Sequence, residues 1–120
     1  MKFTTGEVIS AGTGMLCCPI GDVYKIFNFL TNDNLYTHQL PRAGRVCKEH
    51  IEGQCPWLKD LNKEDCTPDT WRDWLTDAII KYGNSHELQP LPPDTWNHVN
   101  PIKEAVDMMG ADKVMVAVKN

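Results

Sequence analysis

The cysteine and histidine side chains are the first candidates in this sequence for metal binding or nucleophilic catalysis. The cysteines are Cys17, Cys18, Cys47, Cys55 and Cys66. Cys47 and His50 are three residues apart, a helical spacing that would suit two zinc ligands or a thiol beside its base. However, the chain has no CxxC pair, and no catalytic signature surrounds any cysteine. We therefore predict no metal site, no cofactor and no catalytic residue, and a thiol- or zinc-dependent small enzyme remains one alternative.

Phosphate and acid–base chemistry are not predicted either. Gly12-Thr13-Gly14 is a GxG fragment that lacks the further glycine or lysine of a phosphate-binding loop. The neighbouring carboxylates Glu64 and Asp65 stand where acidic residues favour the start of a helix. These patterns favour a protein that binds a partner over one that catalyses a reaction.

Length and composition predict one domain that folds without a partner. The chain has 120 residues, of which 42% are hydrophobic and four are tryptophan, and disordered chains lack such residues. A single globular domain over residues 1–120 is therefore expected. No apolar run is long enough for a membrane span, and the first residues lack the apolar core of a signal peptide. We expect a cytoplasmic protein with reduced thiols and no structural disulfide.

Charged residues recur at helical spacing in two places. Arg42, Arg45 and Lys48 recur every three residues, and Asp69, Asp73 and Asp77 recur every four. Each spacing places one sign of charge along one side of a helix. These six residues, with His38 and Gln39, are the predicted partner-binding residues. The net charge of -4 argues against a nucleic acid as the main partner. Nucleic-acid binding through the cations therefore remains only an alternative to protein binding.

Hydrophobic periodicity and capping residues predict an α+β fold, a mostly helical domain with a small sheet of two or three strands. The predicted helices are a short one capped by Thr4 or Thr5, then 23–31, 41–53, 67–83 and a last one from Pro101 to Gly110. The predicted strands are 86–91 and 114–118, and we expect them to pair with each other.

Four packing expectations accompany these elements. The helix over 67–83 should supply much of the core through a wide apolar face. That face contains Trp71, Trp74, Leu75, Ala78, Ile79 and Tyr82. The segment 15–18 should form one wall of the core, and Gly44 should allow close packing against another backbone. Trp96 should anchor the loop in which it lies.

Four blocks of the sequence carry a family resemblance: GTGMLCC, FLTNDNLYTHQLPRAG, the segment from Cys47 to Cys55-Pro56-Trp57-Leu58, and WNHVNPIKEAVDMMG. They resemble small, functionally uncharacterised proteins of tailed bacteriophages and prophages, and the similarity is strongest at THQLPR. The resemblance implies expression in a bacterial cytoplasm during infection and brings no catalytic residues with it. Phage accessory proteins of this size often bind and block a host factor. We therefore expect a non-enzymatic accessory protein that binds a host protein or protein complex, with anti-CRISPR-like or other counter-defence activity as one role.

Overall fold

Three helices in the first half of the chain enclose the core, and the later elements pack around them. The computed structural model describes residues 1–109, which contain five α-helices and one two-stranded sheet. In order these are β1 (Lys2–Thr4), α1 (Thr5–Thr13), α2 (Ile20–Thr31), α3 (Leu40–Gln54), α4 (Trp71–Tyr82), β2 (Ser85–Glu87) and α5 (Pro101–Met109). The predicted α+β class with helix in the majority is confirmed.

Local sequence signals explain where the first helices begin and end. At the start of α1, the Glu7 amide donates to Thr4 Oγ1 at 3.1 Å and the Thr4 amide donates to Glu7 Oε1 at 2.8 Å. This reciprocal pair is a capping box. Gly14 ends the helix with a φ of 80°, a left-handed conformation that glycine adopts without strain. Asn32 ends α2 in the same conformation, with a φ of 52°.

The core lies between α1, α2 and α3. Its buried side chains include Val8 and Ile9 of α1, Ile26, Phe27 and Leu30 of α2, and Ala43, Cys47 and Ile51 of α3. The α3 residues recur every four positions, so one side of that helix faces inward. The residues of α1 from Thr5 to Gly12 are all buried, which makes α1 the central element.

The tryptophan-rich helix is an outer layer, so the expectation that it forms much of the core is wrong. It begins at Trp71 and not at 67, because the preceding residues form a turn in which Thr67 and Thr70 bond to each other. Ala78 is buried, whereas Trp71, Trp74, Leu75 and Tyr82 are partly exposed. An amphipathic pattern indicates that a helix packs on one side, but it does not indicate how deeply. The position at the centre belongs to α1, against which α4 packs.

The sheet joins the start of the chain to the residues after α4. β1 and β2 are antiparallel, with Phe3 opposite His86. The predicted strand 86–91 is therefore present in shorter form as β2, and its partner β1 was not predicted. The other predicted strand, 114–118, lies outside the described residues.

Gly6 lies where α1 passes close to the loop that follows it. A Cβ at this position would lie 2.7 Å from the carbonyl oxygen of Cys17. We expect Gly6→Ala to lower the free energy of unfolding by about 1–3 kcal/mol, because the energetic cost of overpacking exceeds the energy gained from the higher helix propensity of alanine. Gly53→Ala is the matched control, since among the described residues nothing outside its own helix lies within 4 Å of the added Cβ. Chemical denaturation should show the control unchanged or stabilised, and equal effects in the two variants would contradict the close approach.

None of the helices in residues 1–109 combines the length and the apolar composition that crossing a bilayer requires.

Candidate functional site

A groove of about 500 Å³ lies between the end of α1, the start of α2 and the first half of α3. Apolar side chains line it: Leu16, Ile20, Val23, Phe27 and Leu40. Volumes of this size are typical of ligand and peptide sites, which are mostly apolar with a few polar groups at fixed positions. We refer to this feature as the groove.

Two apolar side chains of the groove are strongly exposed. Leu16 exposes 60% of its surface and Ile20 exposes 54%. The prediction that 15–18 forms a core wall is wrong for Leu16, whereas Cys17 is buried and Met15 and Cys18 pack against the core. Clustered exposed apolar side chains beside a concave surface are typical of interaction sites.

One side of α3 forms the opposite wall of the groove. It presents Pro41, Gly44, Arg45 and Lys48, which recur at helical spacing. Gly44 does not allow close packing against another backbone, so that expectation is wrong. Within the described residues, nothing outside its own helix lies within 4 Å of a Cβ added at Gly44, which means that its missing side chain leaves the groove open.

Three exposed cations border the groove. Arg45 and Lys48, both predicted partner-binding residues, lie on α3, and Lys63 begins a separate 3-10 turn, Lys63–Asp65, further along the chain. The ion pairs found among residues 1–109 include none of the three. Lys63 was not predicted, because no periodic pattern in the sequence connects it with α3.

Arg42, by contrast, is engaged within the protein. It binds the C-terminal segment, residues 96–109, through a two-pronged ion pair with Glu104. Nη2 of Arg42 lies 2.7 Å from Oε1 and Nε lies 3.1 Å from Oε2. Nη1 donates to the carbonyl oxygen of Asn97 at 3.0 Å, and the guanidinium lies 3.8 Å from the ring centroid of Trp96. Paired and stacked in this way, Arg42 holds the C-terminal segment against α3.

His38 and Gln39 take part in the same internal contact. Gln39 is buried and donates from Nε2 to Glu104 Oε1 at 3.3 Å, while its Oε1 accepts from the Tyr36 amide at 2.9 Å. His38 Nε2 lies 2.8 Å from the carbonyl oxygen of Pro101. The hydrogen bonds from Arg42 lower the pKa of Glu104 from its usual 4.5, against the opposing effect of burial.

Trp96 anchors its loop, as predicted. Its Nε1 donates to Asp33 Oδ2 at 2.9 Å, and His98 Nδ1 lies 2.8 Å from the same oxygen. Burial acts to raise the pKa of Asp33, but the hydrogen bonds from Trp96, His98 and the following amide outweigh it and lower the pKa. The C-terminal segment is thus attached both to α3 and to the turn that follows α2.

The predicted acidic stripe lies elsewhere. Asp73 and Asp77 are exposed on α4, and Asp69 is exposed in the turn before that helix begins. The three therefore do not form one helical stripe. They do not line the groove and they do not contact the cations of α3 among the described residues.

Three of the five thiols, those of Cys17, Cys47 and Cys55, are buried, and those of Cys18 and Cys66 are partly buried. All five cysteines are free. Burial raises the pKa of Cys47 to about 12, and burial with the neighbouring Cys66 thiol raises the pKa of Cys17 to about 11. His50, the predicted neighbour of Cys47, bonds through Nε2 to the carbonyl oxygen of Gln89 at 2.7 Å. A protonated, buried thiol cannot act as a nucleophile.

Metal ligands are not brought together in the described part of the chain. No group of three or more histidine, cysteine, aspartate or glutamate side chains in residues 1–109 is placed to hold a metal ion. Among the described residues, the groove combines an exposed apolar surface with three cations that take part in no ion pair, and these features make it the candidate site.

The first half of the chain matches a known protein family. Residues 3–61 match a family described as a domain of unknown function, DUF7736. The match covers just under half of the chain and includes α1, α2, α3 and every groove residue except Lys63. No curated protein and no solved structure shows a significant match.

Proposed function

We propose that the protein is a non-enzymatic phage accessory protein that binds a bacterial host protein in the cytoplasm and acts as an inhibitor of a host defence or regulatory system. The docking surface is the groove. The observation that carries the proposal is the convergence of Arg45, Lys48 and Lys63 on an exposed apolar surface, without an internal ion pair among residues 1–109. The phage context rests on the sequence resemblance described above.

The combination of charge and apolar surface supports a protein partner. Protein interfaces have an apolar centre with polar and charged groups at the rim, and complementary charge accelerates association. Leu16 and Ile20 supply the apolar centre and the three cations supply the rim. A nucleic acid would use the cations but would leave the apolar floor without a partner.

Arg42 is not part of this surface, although it belongs to the same sequence stripe. Its guanidinium is bound to Glu104, and its side chain is only 24% exposed. A charge reversal at Arg42 would therefore disturb the fold, and a test of docking has to use Arg45 and Lys48.

Reversing the charge at the groove should abolish capture of the partner. We expect the double variant Arg45→Glu/Lys48→Glu to lose at least tenfold in recovery of a stoichiometric host protein from bacterial lysate, because like charges then face the partner. The matched control is Arg72→Glu/Lys81→Glu, which makes the same charge change on α4. The measurement is affinity capture followed by mass spectrometry.

Three outcomes would contradict the proposal. The first is the absence of any stoichiometric host protein. The second is equal recovery by the two double variants, and the third is recovery of nucleic acid that declines steeply as salt is raised. The third outcome would assign the groove cations to phosphate binding.

A further inference from the structure

We propose that the groove accepts one amphipathic helix of the partner protein, with apolar side chains inserted beside Gly44 and carboxylates paired with Arg45, Lys48 and Lys63. This inference rests on the proposed function and deepens it by specifying the shape and charge of the docked element. The floor of the groove is apolar and its border is cationic. A complementary occupant therefore has apolar side chains that face the floor and acidic side chains that face the border.

The backbone around the groove argues for a helical occupant. Two of its walls are α2 and α3, and the amides within helices are already bonded to carbonyl groups four residues earlier. A partner strand would need a row of free backbone donors and acceptors, which such walls do not offer. The two-stranded sheet lies elsewhere and does not line the groove.

A polyproline segment fits the groove poorly. Sites for such segments are lined by several aromatic side chains, whereas Phe27 is the aromatic side chain that the described groove contains. Aliphatic side chains dominate its lining, and they match the leucine-type ridge of an amphipathic helix. Of the common modes of peptide recognition, a helix in a groove is therefore the one that agrees with this surface.

The spacing of the cations matches acidic residues on such a helix. Arg45 and Lys48 are three residues apart on α3, so their side chains leave the helix about one turn apart. Aspartate or glutamate residues three or four positions apart on the docked helix would meet both cations. Lys63, which comes from a separate turn, can contact a further carboxylate of the same helix.

The terminal run of the chain itself is a less suitable occupant. Residues 114–118 are apolar in sequence, but Lys113 and Lys119 flank them and would bring further positive charge to a cationic border. Charge complementarity therefore favours an acidic helix from another protein.

Gly44 provides the test. Gly44→Leu would place a side chain into the open groove, and its Cβ meets nothing outside its own helix among the described residues. Because leucine also has higher helix propensity than glycine, the variant should fold at least as well as the native protein. Gly53→Leu is the matched control on the same helix, where the added Cβ is also free and no groove residue is near in sequence.

The probe is a displayed library of random peptides of roughly 16 residues, long enough for about four helical turns. The full-length protein serves as the target. We expect enriched peptides to carry apolar residues at spacings of three and four and an excess of aspartate and glutamate. Gly44→Leu should weaken their binding at least tenfold in fluorescence anisotropy, whereas Gly53→Leu should leave it within about twofold.

Other results would overturn the inference. These are enrichment without helical spacing, enrichment of basic peptides, equal binding by Gly44→Leu, and no enrichment. Binding to vesicles of anionic phosphatidylglycerol that Gly44→Leu abolishes would assign the groove to a lipid. If the captured host protein is lost with Arg45→Glu/Lys48→Glu but retained by Gly44→Leu, the helix inference fails and the proposed function stands. If no host protein is captured, the proposed function itself fails.

Discussion

Replacing Ile51 with alanine is expected to lower the free energy of unfolding by about 3 kcal/mol, while the same replacement at Ile80 changes it by no more than about 0.5 kcal/mol. Ile51 is fully buried on the inner side of α3, whereas Ile80 exposes 78% of its surface on α4. Truncating Ile51 removes apolar contacts and leaves a cavity, because the three-helix core cannot close completely around the smaller side chain.

Urea denaturation of the two variants provides the measurement. The comparison is matched in chemistry, since both substitutions remove the same atoms from a helix. Similar losses at Ile51 and Ile80 would contradict the assignment of the core to α1, α2 and α3. A larger loss of stability for Ile80→Ala than for Ile51→Ala would indicate that the tryptophan-rich helix forms the core.

Removing the Arg42 guanidinium should be the second large perturbation. We expect Arg42→Met to cost about 2–3 kcal/mol at neutral pH, because it leaves the carboxylate of Glu104 buried without its cation. The value is below that of a fully buried pair because the Arg42 side chain is 24% exposed. Arg45→Met is the matched control on the same helix, and it should change stability by less than about 0.5 kcal/mol.

The effect of Arg42→Met should depend on pH. The pKa of Glu104 is lowered in the folded protein, so its ion pair contributes fully above the ordinary value of 4.5 and is lost as pH falls through the folded-state pKa. The native protein and the variant should therefore converge in stability on acidification.

Two measurements check this prediction. Chemical denaturation at pH 7 and below pH 4 gives the difference in stability, and hydrogen exchange of the α5 amides shows whether the C-terminal segment detaches before the core unfolds. Adding Glu104→Gln to Arg42→Met should restore part of the stability, since the buried group is then neutral. A constant difference at both pH values would contradict the role assigned to the Glu104 charge.

The helices were predictable from sequence where local signals determine them. Thr4 and Glu7 form the capping box of α1, and Pro41 lies in the first turn of α3, so that the predicted span 41–53 differs from the observed helix by one residue at each end. These signals act over a few residues and need no knowledge of the rest of the fold. The length of the last helix agrees for the same reason, as far as the described residues extend.

Burial depth and long-range pairing were not predictable in this way. The tryptophan-rich helix has a wider apolar face than α1, but α1 has small residues that let other elements approach it from several sides, as Gly6 shows. Glu104 lies sixty-two positions from Arg42 in the chain, and no spacing rule connects them. Pairing at such a distance follows from how the helices pack and not from local sequence.

The candidate site was predicted in part. Arg45 and Lys48 border the groove, and their role in partner binding stays a prediction, while His38, Gln39 and Arg42 contact the C-terminal segment. Helical periodicity identified the cations, but it could not separate those with an internal partner from those without one. Leu16 and Ile20 were missed, because their sequence does not reveal that the fold leaves them uncovered.

The internal contacts of α3 cover only part of its surface, and this has a consequence for its sequence. One side packs in the core, Arg42 holds the C-terminal segment, and His50 and Gln54 bond to Gln89, whereas the side that faces the groove is open. The fifteen positions of α3 therefore differ in the substitutions they accept without loss of stability. In a saturation mutagenesis experiment scored for folding, Arg42 and the core positions should be intolerant, whereas the groove positions and the outward-facing Glu49 and Gly53 should be tolerant.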